Sequence, residues 1–280
     1  MMKKSSIIIQ ILLLVFCLNQ AFTQEEIEYG SNNGQYISVQ NTGIYYEEYG
    51  EGTPLFLFHG SEASIEYFNM VIPELSEHFR VIAVDAPGHG RSYHADSISD
   101  QLLCDYMSEM IDLMELDSVY LLGCSLGANL ALHLAYERPD KVKRVIGEGT
   151  ILDSKGYRND IDAYELTENI AQIERMPKWW IDKYYRLNPQ KELITKFLND
   201  LSRMRFDGPT LTEAEVKSIK ARTLIIMGDR DWAIKLEYGL ELYRNIKGSE
   251  FCVIPAGAHC ICDKKPDLVN KIIIDFFAKE

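Results

Sequence analysis

The chain has 280 residues, with 29 basic against 42 acidic side chains and a formal net charge of −13. That balance excludes the basic footprint of a nucleic-acid-binding protein, and the length suits one large α/β domain with a substantial core.

In chain order, the first segment reads as an address. Lys3 and Lys4 precede an apolar run over 7–18, followed by Ala21-Phe22-Thr23, the pattern of a cleaved secretory signal with the mature chain starting near Gln24. A retained membrane anchor is disfavoured because the run is shorter than the ~20 residues of a span and is interrupted by Gln10. A lipid-anchored start at Cys17 is disfavoured by the bulky Phe16 before it. Loss of residues 1–23 leaves 27 basic against 42 acidic residues and no second apolar span. The expected location is therefore secreted or periplasmic. Five cysteines remain, Cys104, Cys124, Cys252, Cys260 and Cys262, an odd number that leaves at least one thiol unpaired in a monomer. Cys260 and Cys262 stand beside His259, yet no second Cys/His pair has finger spacing, so neither zinc nor any other cofactor is expected.

From residue 36 onward, short apolar runs alternate with stretches of helical period. Strands are expected over 36–39, 44–49, 55–58, 81–84, 119–122, 142–148, 223–227 and 251–254, the first two joined as a hairpin through Asn41-Thr42-Gly43. Helices are expected over 65–77, 99–114, 126–136, 234–245 and 266–277. Such alternation predicts a mostly parallel sheet of about eight strands with helices on both faces. The rhythm breaks over 151–221, where helical spacing recurs at 164–173, 179–187 and 193–204 without a convincing strand. That segment reads as a helical cap inserted into a core formed by 24–150 and 222–280, bounded by Gly156 and Gly208-Pro209.

The chemistry concentrates at strand ends. Gly123-Cys124-Ser125-Leu126-Gly127 lies between a strand-like run and a helix-like one, which is G-x-S-x-G in the strand-turn-helix setting that exposes a serine hydroxyl at a helix N-terminus. A serine needs a histidine to take its proton and a carboxylate to orient that histidine. Downstream, one strand ends in Gly228-Asp229-Arg230-Asp231-Trp232 and the last in Pro255-Ala256-Gly257-Ala258-His259. The order Ser, Asp, His is that of a nucleophile-elbow hydrolase.

Five ordered motifs make the resemblance specific: His59-Gly60, Pro87-Gly88-His89-Gly90-Arg91-Ser92, the elbow at Ser125, Gly228 to Asp231, and Gly257-Ala258-His259. With them the chain resembles the α/β-hydrolase family, in its capped serine-hydrolase or esterase type, over essentially all of its mature length. The resemblance implies Ser125 as nucleophile, His259 as base and Asp231, the second acid of its turn, as orienting carboxylate, with Asp229 a turn former. It implies an oxyanion hole from the backbone N–H groups of Ser61 and Leu126, and makes His59 and His89 turn residues. Glu148, also at a strand end, competes for the acid role because some relatives place their carboxylate after that strand; otherwise it is a pocket residue. Trp179, Trp180, Tyr184, Tyr185 and Trp232 either line an apolar pocket or pack cap against core, and both readings stand at this point. The expected activity is cleavage of an ester or related acyl bond of a small molecule through an acyl-serine intermediate, without metal or cofactor. Carbon–carbon bond hydrolysis, amide or peptide cleavage and acyl transfer use the same triad, and a small-ligand receptor with slow turnover is a further alternative. Substrate identity and oligomeric state are left open.

Overall fold

The computed structural model describes residues 34–158, 173–204 and 210–278. The expected signal segment, 1–23, lies outside the described residues, as does most of the helical run expected over 164–173 and the Gly208-Pro209 boundary.

Eight strands form one sheet: β1 (Gln35–Val39), β2 (Thr42–Tyr49), β3 (Pro54–Phe58), β4 (Arg80–Val84), β5 (Val119–Cys124), β6 (Val142–Glu148), β7 (Arg222–Gly228) and β8 (Glu250–Ile254). Their spatial order is β1-β2-β4-β3-β5-β6-β7-β8. The first two contacts, β1 with β2 and β2 with β4, are antiparallel and the rest parallel. The hairpin turn differs from expectation: Val39 pairs with Thr42, and the two-residue turn is Gln40-Asn41, both at positive φ. Two positive φ values give the turn the twist that matches the flanking strands.

Alternation in the parallel strands divides the core. Phe56, Phe58, Leu121, Val145 and Ile225 point to one face, where they meet helices α2 (Asp100–Leu113), α3 (Leu126–Glu137) and α7 (Leu236–Asn245). Leu55, Leu57, Leu122, Ile146, Leu224 and Ile226 point to the other, covered by α1 (Ile72–Leu75) and α8 (Pro266–Ala278). Successive residues must face opposite ways in a pleated strand, so strands buried on both sides read as unbroken apolar runs. Ser99 caps α2, accepting from the Leu102 N–H at 3.2 Å, which satisfies one of the orphan donors of its first turn.

The helix expected over 65–77 is broken into a 3₁₀ turn, Ile65–Phe68, and the single turn of α1. Pro73 sits in the first turn of α1. It brings no N–H for the Asn69 carbonyl four residues back, where the stretch parts, and it is tolerated in the first turn of α1 because its missing N–H would have no intrahelical acceptor there.

Between β6 and β7 the described chain is helical: α4 (Lys178–Leu187), α5 (Ile194–Met204) and α6 (Glu213–Ser218). Helix α6 is not among the expected elements; its capping box, in which Thr212 and Glu215 satisfy each other's backbone N–H groups, is a signature legible in the sequence. This segment is fastened to the sheet side by specific bonds. The Trp180 indole N–H donates to the Glu62 carbonyl at 2.6 Å, and the Asn188 amide donates to the Gly88 and Ser92 carbonyls at 3.0 and 3.3 Å. His94 and Tyr184 are joined at 2.8 Å, and Phe197 meets the rings of His89 and His94 edge-on. Among the described residues no helix is long and apolar enough to cross a membrane.

Candidate active site

Ser125 stands between β5 and α3 with φ 53° and ψ −117°, a left-handed conformation that costs a non-glycine residue about 1–3 kcal/mol and persists only where its surroundings enforce it. The flanking glycines enforce it by closeness. A Cβ on Gly123 would lie 2.0 Å from the Gly127 carbonyl oxygen, and one on Gly127 2.0 Å from that of Phe58, so only bare backbone allows α3 to abut the ends of β3 and β5. The Ser125 N–H is held by the Glu148 carbonyl at 2.8 Å.

The parallel strands deliver the partners to the same edge. His259 follows β8, and its Nε2 lies 3.0 Å from the Ser125 Oγ. Asp231 follows β7, and its Oδ2 lies 2.9 Å from the His259 Nδ1. The second Asp231 oxygen accepts the backbone N–H groups of Ala233 and Ile234 at 2.8 and 2.9 Å, which locks the carboxylate in rotation. With a carboxylate opposite Nδ1, the proton of the neutral ring resides there, and Nε2 is left as the acceptor for the serine hydroxyl. Burial alone pushes His259 down, but the hydrogen bond it donates to Asp231 and the charge of that carboxylate, helped by Cys260 and Glu148, carry the imidazole above its ordinary value. Asp229 is exposed, and its backbone N–H donates to the Ile254 carbonyl at 3.2 Å.

Leu126 is the first residue of α3, so its N–H belongs to the set that a helix leaves without an intrahelical acceptor. Ser61 shares a cleft with Ser125 and Leu126, and the turn before it is tight against the nucleophile, since a Cβ on Gly60 would lie 3.4 Å from that of Ser125. That turn is built by His59. Its Nε2 accepts the Ala86 N–H at 3.1 Å, and its Nδ1 donates to the Gly60 carbonyl at 2.7 Å; burial holds the ring neutral, its pKa lowered to about 4. His89, also driven down by burial, lies 3.1 Å from the Pro87 carbonyl.

The cleft beside Ser125 differs in character from an aromatic slot. Asp100, Asn129, Asp153 and Thr210 supply polar walls, and Ile151, Leu152 and Met204 apolar ones. Glu148, Trp179, Trp180 and Trp232 are not among its described lining residues. Trp180 is buried between α4 and the sheet side, whereas Trp179 is 68% exposed. Trp232 is 57% exposed and sets its ring edge-on to His259 at 5.6 Å. Glu148 is buried, 1% exposed. Of the cleft residues, Asn129 had a sequence signal: it lies four residues after Ser125, on the same face of α3. Its side chain clips the loop after β6, donating to the Ile151 carbonyl at 2.7 Å and accepting the Ile151 N–H at 2.9 Å.

The Cys124 thiol, immediately before the nucleophile, donates to Cys260 Sγ at 3.8 Å. The five described cysteines are free thiols. Among the described residues no three or more His, Cys, Asp or Glu side chains are arranged to hold a metal ion.

Residues 53–207 match the model of the alpha/beta hydrolase fold. The chain belongs to the alpha/beta hydrolase fold family. Hydrolase is accordingly the coarse activity that family and relatives support. This hydrolase is 38% identical over 247 residues to (E)-2-((N-methylformamido)methylene)succinate hydrolase of Acinetobacter baylyi, covering 84% of this chain and 94% of that one. It is 26% identical to 2-hydroxy-6-oxo-2,4-heptadienoate hydrolase of Pseudomonas putida, over 82% and 91% of the two chains. Among solved structures, a meta-cleavage product hydrolase from Pseudomonas fluorescens superposes with a TM-score of 0.74 at 21% identity, over 88% of this chain and 97% of that one; at that identity the likeness concerns the fold.

Proposed function

We propose that this chain is a serine hydrolase that cleaves an ester or related acyl bond of a small molecule through an acyl-Ser125 intermediate, with 151–221 acting as a cap. The observation that carries the reading is the continuous relay from Ser125 Oγ to His259 Nε2 at 3.0 Å and from His259 Nδ1 to Asp231 at 2.9 Å. His259 removes the hydroxyl proton as Ser125 attacks the carbonyl. The charge that develops on oxygen meets the N–H groups of Leu126 and Ser61, each donor of this kind being worth roughly 3 kcal/mol of barrier. His259 then protonates the leaving group, and a water deprotonated by the same Nε2 releases the acyl group.

The test is turnover of p-nitrophenyl acetate and butyrate. Release of many equivalents of p-nitrophenol per protein is expected. A stoichiometric burst that stalls identifies a receptor-like binder instead, and absence of any release overturns the ester reading. The names of the relatives favour a second substrate panel on the same serine: vinylogous diketones for carbon–carbon cleavage, and N-methylformamido compounds for amide-type cleavage.

A third measurement follows from the raised His259. The base is competent only when neutral, so kcat/KM is expected to climb with pH through an apparent pKa above the ~6.5 of free imidazole. A limb below that value contradicts an imidazole held up by Asp231.

Export belongs to the same reading, supported by Lys3 and Lys4, the apolar run over 7–18 and Ala21-Phe22-Thr23. Intact-mass measurement on protein recovered from its native host is expected to place the N-terminus near Gln24. A cytoplasmic product that retains Met1 overturns it.

A further inference from the structure

Glu148 ends β6, one strand away from the nucleophile, and is 1% exposed. A carboxylate at that depth carries a large desolvation cost unless donors converge on it, and here they do. The Tyr67 hydroxyl donates to Oε1 at 2.8 Å, the Ile261 N–H donates to the same oxygen, and the Cys262 thiol donates to Oε2 at 3.1 Å. Each of these partners is a donor, which suits the ionised form, although burial raises the group above the usual carboxylate range. Tyr67 also accepts the Cys262 N–H at 3.3 Å. Two successive backbone N–H groups, two and three residues after His259, are therefore held by the Glu148–Tyr67 pair.

The same residue grips the other half of the relay. The Glu148 carbonyl receives the Ser125 N–H at 2.8 Å. Its neighbour Gly149 has φ +58°, and a Cβ there would lie 2.9 Å from the His259 Cε1, so the β6 end is pressed against the imidazole as closely as glycine permits. Main chain to the elbow and side chain to the histidine loop make one residue the spacer between Ser125 and His259. The His259 ring meets Asp231 at Nδ1 and Ser125 at Nε2, while the Glu148 carboxylate is engaged by Tyr67, Ile261 and Cys262.

We propose that Glu148 is a positioning residue: its buried carboxylate fixes the Ile261-Cys262 backbone, and so the His259 ring, at the distance from Ser125 that proton transfer needs, while its charge favours the imidazolium formed on the way. A ring misplaced by about 1 Å can lose about 10² in rate, and the geometry leaves Glu148 and Tyr67 as the side chains that prevent it on this side. The groups facing His259 are Asp231 from the turn after β7, Cys260 from its own loop and Glu148 from β6. Those facing Glu148 are Tyr67 from the turn after β3, Cys262 and His259 from the loop after β8, with Cys124 on β5 close by.

The test is Glu148→Gln, with Glu148→Asp as the charge-retaining comparison, read in two ways. The first does not need a substrate: NMR titration of the His259 imidazole, assigned with a His259→Ala control. The midpoint is expected to fall by about half a pH unit or more in Glu148→Gln, and to return toward wild type in Glu148→Asp. The second rests on the serine-hydrolase reading: kcat for p-nitrophenyl acetate should drop about ten- to a hundredfold with KM changed less than about threefold. A folded Glu148→Gln protein whose His259 midpoint is unmoved overturns the proposal, whatever its melting temperature. If that variant does not fold, Tyr67→Phe removes a single hydroxyl and is expected to move the midpoint in the same direction by less. A folded Tyr67→Phe protein with an unmoved midpoint then overturns it. A wild-type protein inert to the ester overturns the ester reading alone, and the titration still decides the positioning role.

Discussion

Ser125→Ala is expected to lower turnover by about a millionfold, the scale seen when a nucleophile acting as one unit with its base is removed. The fold should survive the change. Ser125 Oγ is hydrogen-bonded to His259 Nε2, and the backbone bond from Ser125 N to Glu148 O does not depend on the side chain. The positive φ of the elbow is imposed by the approach of Gly123 and Gly127 to neighbouring carbonyls, which alanine leaves in place. A fluorophosphonate probe should therefore label the wild-type protein and not the variant, at closely similar melting temperatures. Undiminished labelling of a folded Ser125→Ala protein removes Ser125 as the nucleophile.

Asp231→Asn should cost about 10⁴ in kcat, equivalent to about 5.5 kcal/mol of barrier. The surroundings of this carboxylate dictate which way the amide must turn. Oδ1 accepts two backbone N–H groups, from Ala233 and Ile234, so the amide oxygen is retained there and the NH₂ is forced into the Oδ2 position facing His259 Nδ1. A donor opposite Nδ1 requires that nitrogen to accept, which moves the ring proton to Nε2 and points it at Ser125 Oγ. The base is then in the wrong tautomer. The limb of the pH profile should also move down, because the bond and the charge of Asp231 are what lift His259 against the opposing effect of burial. A mild effect of Asp231→Asn, beside a crippling effect of Glu148→Gln with His259 still correctly placed, exchanges the two roles.

Much of this architecture was legible as pattern. The runs Leu55–Phe58, Val119–Leu122 and Leu224–Met227 are apolar at every position because both faces of a parallel sheet are covered, and a short-range rule reads them correctly. The elbow was legible for the same reason, since its glycines answer to contacts made within and beside one strand-turn-helix unit. Local chemistry overrides period in two places: the helical stretch parts after Phe68, where Pro73 offers no N–H to the Asn69 carbonyl, and the hairpin turns at Gln40-Asn41, the two residues there with positive φ. The aromatic residues were ambiguous because periodicity marks an apolar face without saying what covers it. Trp180 is buried and spends its N–H on the Glu62 carbonyl, while Trp179, its neighbour, faces outward.

The sequence by itself therefore determined the strands, their parallel stacking and the identities of Ser125, Asp231 and His259 as candidates, because each depends on residue type and near neighbours. The tertiary structure decided everything that depends on crossovers. Residues 136 positions apart, Cys124 and Cys260, become neighbours at 3.8 Å. Asp100 from the start of α2 and Thr210 from beyond α5 meet at 2.8 Å in the wall of the cleft. Glu148 appeared in the sequence as a rival acid or a pocket residue; its bonds to Tyr67, 81 positions earlier, and to Ile261, 113 later, place it as a buried brace. Such partners are chosen by the order in which the sheet is wound, and no local period records that order.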